Sequence, residues 1–161
     1  MAQEIERKFL VEGDAYRALA LDSSRISQGY ISSGNGRTVR VRIRDQRGYL
    51  TIKGPSADGG LSRYEFETEI PLADARELLD ICEPGVIEKT RYLVRAHDGH
   101  IFEVDEFYGD NAGLVMAEVE LRSADEPYVK PHFIGREVTG DRRFYNSHLR
   151  HYPFRLWGNS L

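Results

Sequence analysis

Residues 37–44 read Arg-Thr-Val-Arg-Val-Arg-Ile-Arg. Successive side chains of a β-strand point to opposite faces, so every second residue shares a face. Arg40, Arg42 and Arg44 then line one face of a strand, and Val39, Val41 and Ile43 line the other. Guanidinium groups two residues apart repel one another. Such a row calls for a partner, either an opposing acidic strand or an anionic ligand.

The same alternation extends outward in both directions. Upstream, residues 3–11 (QEIERKFLV) place Glu4, Glu6 and Lys8 opposite Ile5 and Phe9, and the pattern breaks at Gly13. Residues 26–32 (ISQGYIS) form a short expected strand before the turn Ser33-Gly34-Asn35-Gly36. Downstream, Gln46-Arg47-Gly48 is an expected hairpin turn into residues 49–53 (YLTIK), which end in Lys53. A flexible loop is expected over the Gly-Pro-Ser-Ala-Asp-Gly-Gly run that follows. Further strands are expected at 62–70 (Glu65, Glu67 and Glu69 opposite Tyr64, Phe66 and Ile70) and at 86–95 (Lys89 and Arg91 aligned). Two more follow at 100–107 (Glu103 and Asp105 opposite Phe102 and Val104) and 114–122 (Glu118 and Glu120 opposite Val119 and Leu121). Helices are fewer: 14–21 with Asp14 as N-cap, 72–82 behind Pro71, and 139–151 opened by Thr139 or Asp141. About eight strands joined by hairpins, with few helices, predict a mainly β (α+β) antiparallel barrel or sandwich.

Size and composition bound the function. The 161 residues fit one domain spanning 1–161, and 40% hydrophobic with 30% charged residues describes a soluble globular protein rich in charge. A net charge of -4 argues against a strongly basic face, so no nucleic-acid partner is expected. The lone Cys82 cannot form an internal disulfide and fits a reducing compartment. The start Met-Ala-Gln-Glu-Ile-Glu-Arg-Lys carries charges where a signal peptide needs an apolar stretch, and no apolar run approaches membrane-spanning length. These features predict a cytoplasmic protein without a membrane partner.

A single charged strand face is ordinarily a solvated face. Here the charges segregate by strand into Glu-rich rows and Arg/Lys-rich rows. If the sheet closes with these faces inward, the acidic rows can coordinate hard divalent cations such as Mg²⁺ or Mn²⁺. The basic rows can neutralise phosphate oxygens. A polyphosphate carrying a divalent cation needs both sets. A purely structural barrel is the poorer explanation, because buried ion pairs stabilise weakly beside apolar packing.

These residues resemble the CYTH-domain family, the triphosphate tunnel metalloenzymes. Glu4-Ile-Glu-Arg-Lys8 matches the family's N-terminal ExExK signature, and Gln28-Gly-Tyr30 its second strand. Arg42-Ile-Arg44 matches the RxR strand, Thr51-Ile-Lys53 the lysine strand and Glu65-Phe-Glu67 a second ExE. Glu88-Lys-Thr-Arg-Tyr92, Phe102-Glu-Val-Asp105 and Glu118-Val-Glu120 match the later strands. Val138-Thr-Gly-Asp-Arg-Arg-Phe-Tyr-Asn146 is similar to the family's C-terminal segment. The resemblance is nearest to short bacterial inorganic triphosphatases. It implies an eight-stranded tunnel that hydrolyses a triphosphate with Mg²⁺ or Mn²⁺.

Residue by residue, the resemblance makes Glu4, Glu6, Glu118 and Glu120 metal ligands, with Asp105 supporting a second metal. Lys8, Arg42, Arg44, Lys53, Lys89, Arg91 and Arg143 bind phosphate oxygens. Glu65, Glu67 and Glu103 are supporting acids that hold metal indirectly or orient the basic residues. Water is the expected nucleophile, and Tyr30 with Lys53 is the candidate catalytic dyad. Neighbouring cations would favour the neutral lysine, whereas the acidic rows of the same lumen oppose it. Arg40 extends the basic row beyond the family pattern and is expected at the tunnel mouth or paired with Glu69. His97 and His100 flank an expected turn at Asp98-Gly99, and His148 and His151 are expected to be exposed or packed.

The leading expectation is cleavage of tripolyphosphate to pyrophosphate and phosphate, with the triphosphate as a small-molecule partner. Thiamine triphosphate, RNA 5′-triphosphate or another organic triphosphate, or class IV-type adenylate cyclase chemistry, are alternatives on the same tunnel. Short loops leave little material for a base-binding site and favour the naked polyphosphate. A non-catalytic polyphosphate-binding module is the alternative outside enzymes. Apolar outer strand faces would permit a homodimer.

Overall fold

The computed structural model describes residues 3–158. Along the chain lie β1 (Gln3–Val11), α1 (Tyr16–Leu19), β2 (Asp22–Gly34), β3 (Arg37–Arg44), β4 (Arg47–Ala57), β5 (Ser62–Ile70) and α2 (Leu72–Asp80). Then come β6 (Ile87–Arg95), β7 (Ile101–Phe107), β8 (Val115–Glu120), β9 (Ile134–Glu137) and α3 (Asn146–Leu149). The strands pair antiparallel in the order β5-β4-β3-β2-β6-β7-β8-β1, and β1 also pairs with β5, which closes the barrel. β1 serves three partners along its length. Gln3–Ile5 meet β5, Glu6–Leu10 meet β8, and its end meets the short β9.

The alternation decides what each face packs against. Phe9, Val94, Phe102, Val104, Ala117 and Val119, out of phase with the charged rows, form an outer core beneath Tyr16 of α1 and Phe133. A second core contains Ile87, Phe107 and Met116, with Leu10 against it. These residues are in phase with Lys89, Asp105, Glu118 and Lys8, so they continue the inward rows. The interior is therefore charged along most of its length and apolar at one end. Phe144, Leu149 and Trp157 of the C-terminal segment plug that end. α2 lies outside, where a Cβ on Gly48 would stand 2.6 Å from Ala75 Cβ, so only glycine allows this approach.

Several boundaries differ from the sequence reading. The expected helix 14–21 shrinks to α1, with no side-chain cap from Asp14, because Leu21 N already donates to Leu93 O and draws the chain into the sheet. β2 and β4 run beyond the expected strands, and β4 takes in residues 54–57 of the expected loop across a register shift after Lys53. The expected helix 139–151 is broken into a 3-10 turn (Arg142–Phe144), capped by Asp141, and α3. Thr139 is not a cap: its hydroxyl accepts from Lys8 N and donates to Glu137. The break lets Phe144 and Leu149 both enter the apolar end. β9 was not expected. Among the described residues no helix is long and apolar enough to cross a membrane.

Candidate active site

Closure turns the charged rows inward around a cavity of about 250 Å³. Glu4, Glu6, Lys8, Tyr30, Arg42, Arg44, Lys53, Glu65, Glu67, Lys89, Arg91, Glu103, Glu118 and Glu120 all line it. Strand register sets the neighbours: Thr38 faces Lys53, Lys53 faces Glu65, and Arg40 faces Thr51, which faces Glu67. Arg40 therefore belongs to the lumen, within 3.7 Å of Glu67, and not to Glu69, which pairs with Arg47.

The basic groups differ in how far the protein satisfies them. Arg91 donates to both oxygens of Asp105 at 2.8 and 2.9 Å, and Lys89 Nζ lies 2.7 Å from the same carboxylate. Lys53 Nζ reaches Glu4 at 3.0 Å and Glu65 at 3.4 Å, and Lys8 Nζ reaches Glu118 at 3.5 Å. Arg42 is 3.4 Å from Glu67. The buried Nε–H groups of Arg40 and Arg42 have no acceptor among the described residues.

Two expected site residues lie elsewhere. Asp105 is 3% exposed, stands behind the cavity lining, and has its oxygens taken by Arg91 and Lys89. Arg143 is tied to Asp141 at 2.9 Å and lies over the Phe144 and Trp157 rings, on the plug and outside the cavity lining. No hydrogen bond joins Tyr30 to Lys53 among the described residues; the Tyr30 ring instead lies 5.7 Å from the Arg150 guanidinium. His148 and His151 are exposed. His100 is not a free loop residue: its ring nitrogens meet Asp98 at 2.8 Å and Glu126 at 2.5 Å. Sequence reasoning gave no role to Asn146, Tyr145, Thr139 or Ser147, which also line the cavity. They lie on the segment that runs from β9 through the 3-10 turn into α3, outside the strands, where period-two reasoning has no purchase.

Electrostatics divide the carboxylates. Glu6 faces Glu120 across the β1–β8 ladder, and Glu103 faces Glu118 across β7–β8. Like charges directly opposite destabilise a sheet. Burial, then Glu118 and Glu4, push the Glu6 carboxyl well above the usual range. Burial also raises Glu65 and Glu120, with Glu4 adding to both. Burial opposes ionisation of Glu118 too, yet Lys8 and Arg91 hold its carboxyl well below the usual range. Burial pushes Lys89 down to about 8 although Asp105 opposes the shift. The crowded oxygen donors at Glu4, Glu6, Glu118 and Glu120 fit a hard divalent cation. Among the described residues no three carboxylates converge into a ready-made cage.

The comparisons agree with this geometry. A model of the CYTH domain matches residues 2–145. The inorganic triphosphatase of Acetivibrio thermocellus is 49% identical over 156 residues, covering 96% of this chain and 97% of that protein. The inorganic triphosphatase of Nitrosomonas europaea is 36% identical over 150 residues, covering 91% and 95%. A solved structure of an inorganic triphosphatase is 32% identical with a TM-score of 0.63, covering 93% of this chain and 95% of the other. An inward-facing charged barrel, a family match over nearly the whole chain and relatives of equal length make this chain a member of the CYTH domain family.

Proposed function

We propose that this protein hydrolyses inorganic triphosphate to pyrophosphate and phosphate within the barrel. The observation that carries the reading is the Arg40–Arg42 row, whose buried Nε–H groups lack any acceptor among the described residues. An unpaired buried donor is costly, and phosphate oxygens would satisfy both. The name shared by the two relatives supports the same substrate. Tyr30 and Tyr145 are the aromatic side chains of the lining, a poor base-binding surface that favours a naked polyphosphate over a nucleotide.

Phosphoryl transfer depends chiefly on positioning and charge stabilisation. Arg42, Arg44 and Arg40 hold the phosphoryl oxygens from one wall, and Lys8, Lys89 and Arg91 from the other. Water adds in line at the terminal phosphorus and gives up a proton to the phosphate products or to solvent, the bridging P–O bond breaks, and the leaving pyrophosphate remains among the cations. Glu4, Glu6, Glu118 and Glu120 would hold a Mg²⁺ or Mn²⁺ ion. When bound, such an ion supplies Lewis-acid polarisation and charge neutralisation. Lys53, anchored by Glu4 and Glu65, and Tyr30 orient the reacting end. Asp105 positions Arg91 and Lys89.

The test is phosphate release from tripolyphosphate, ATP and thiamine triphosphate, each with Mg²⁺, Mn²⁺ or EDTA, for the wild type, Glu4→Gln and Arg42→Ala. Metal-dependent release from tripolyphosphate, lost in both variants, is expected. Binding of tripolyphosphate without release from any substrate would overturn hydrolysis in favour of a binding module.

A further inference from the structure

The segment that plugs the barrel also forms the floor of the cavity, and one side chain there has an unused donor. Lys89 Nζ lies 3.0 Å from Asn146 Oδ1. An ammonium only donates, so the Asn146 atom facing it must be the carbonyl oxygen. Gln28 is fully buried and lies 3.2 Å from that same oxygen. It must therefore present Nε2, which leaves its own Oε1 buried without a partner among the described residues. One lysine thus fixes the orientation of both amides. The Asn146 Nδ2 group, turned away from these neighbours, makes no hydrogen bond among the described residues, and Asn146 lines the cavity. Lys8 stands on the same floor, with Nζ 3.4 Å from Phe144 O and 5.1 Å from the Tyr145 ring centre.

We propose that Asn146 is a further substrate-contacting residue, donating an uncharged N–H to a phosphoryl oxygen at the plugged end of the cavity, beside Lys89 and Lys8. This rests on the triphosphatase reading and deepens it, because it states which end of the lumen receives a terminal phosphate. The floor offers two ammonium groups, each already meeting two protein acceptors but carrying three N–H donors, and the amide donor of Asn146. A phosphoryl group brings several acceptor oxygens, whereas an apolar substituent would strip these groups of water and return nothing.

The full chain is tested with saturating Mg²⁺ by steady-state phosphate release from tripolyphosphate, and by calorimetric binding of tripolyphosphate in EDTA. Asn146→Asp keeps the oxygen that Lys89 and Gln28 need but replaces the donor with an acceptor. A residue with only a structural role would tolerate it. We expect an unchanged or higher Tm, a KM raised by more than tenfold and a matching loss of affinity. Asn146→Ala removes the donor without adding charge, and a KM raised about tenfold is expected, as for loss of one hydrogen bond to a charged group. Wild-type KM and affinity in Asn146→Ala would overturn the proposal, whatever Asn146→Asp does. A wild-type protein that neither binds nor cleaves tripolyphosphate would instead overturn the underlying reading, so the two failures are distinguishable.

Discussion

The two long walls of the cavity are built differently. The wall of β6, β7, β8 and β1 is backed by the outer core, with Phe9, Phe102, Val104 and Ala117 fully buried. One inward cluster on it is tightly paired, Asp105 with Arg91 and Lys89 at 2.7–2.9 Å. The wall of β3, β4 and β5 has no such backing over its outer strip, where Ile52, Tyr64 and Phe66 are 40–46% exposed. Its arginine pairs are looser, Arg42 and Arg40 to Glu67 at 3.4 and 3.7 Å, and Glu67 is 33% exposed. The difference separates two tasks. In the first wall the Asp105 cluster holds Arg91 and Lys89 in a fixed geometry. The second leaves the Nε–H donors of Arg40 and Arg42 without an acceptor among the described residues.

The largest expected effect breaks the first wall. Asp105→Ala would leave Lys89 and Arg91 buried side by side without their shared counter-ion. Removing one partner of a buried pair costs about 3–5 kcal/mol, and urea unfolding should register it. Glu67→Ala removes a partly solvated partner and should cost under about 1 kcal/mol. Equal losses in the two variants would erase the distinction between the walls.

Activity should rank the walls the other way. Arg42→Ala is expected to lower kcat/KM for tripolyphosphate about a hundredfold or more, the scale for losing a charge-stabilising donor. Its Tm should stay near that of the wild type, because the native contacts of Arg42 are long. A variant that unfolds instead would show that the second wall also depends on its own ion pairs.

The parts of this arrangement that were legible in the sequence are those written in period two. Arg40-x-Arg42-x-Arg44, Glu65-x-Glu67 and Glu118-x-Glu120 each declared a strand and a charged face, and the barrel follows from facing them inward. The assignment of charges to tasks was not legible, because it depends on register. Asp105 reads as one more acid in a row until β6 is laid beside β7 and Arg91 falls opposite it. Arg143 sits in a family-like segment, but whether its guanidinium meets the lumen or Asp141 depends on the 3-10 turn that carries it. The plug was hidden for a related reason. Leu10, Ile87, Phe107 and Met116 look like ordinary strand residues, and only the alternation carried past the last charge places them inside.

A smaller effect concerns the protonation of the first wall. Lys89 is buried against Asp105, Arg91 and Asn146, with the Phe107 ring 5.4 Å away and Glu118 nearby, and it loses its proton near pH 8. The neutral amine attracts phosphate less, so kcat/KM, which reports the free enzyme, should fall as pH rises above about 8. Stability should move the opposite way. The unfolded lysine holds its proton to about pH 10.4, so the unfolded chain binds more protons between these values and ΔG of unfolding gains with pH across that window. Lys89→Arg should shift the alkaline fall in kcat/KM upward. An unmoved fall would assign it to another group.

The smallest effect tests whether the order of the first wall extends to its rim. His100 opens β7's edge and is clamped between Asp98 and Glu126, and Glu126 also accepts from Arg122 N. Val129 N donates to Asp98, so the cluster ties the β6–β7 turn to the segment carrying Tyr128, which packs on the outer core. Hydrogen bonds donated to Glu126 and then to Asp98 raise the imidazole's proton affinity above its ordinary value. A raised folded value means that the clamp contributes fully below the unfolded value of about 6.5 and is lost as pH rises through the folded one. His100→Gln should therefore lower Tm by a few degrees at pH 6 and by less at pH 9, with the gap shrinking in high salt because the cluster is near the surface. A Tm loss of the same size at both pH values would mean that the ring acts by packing, and that the order of the wall ends before its rim.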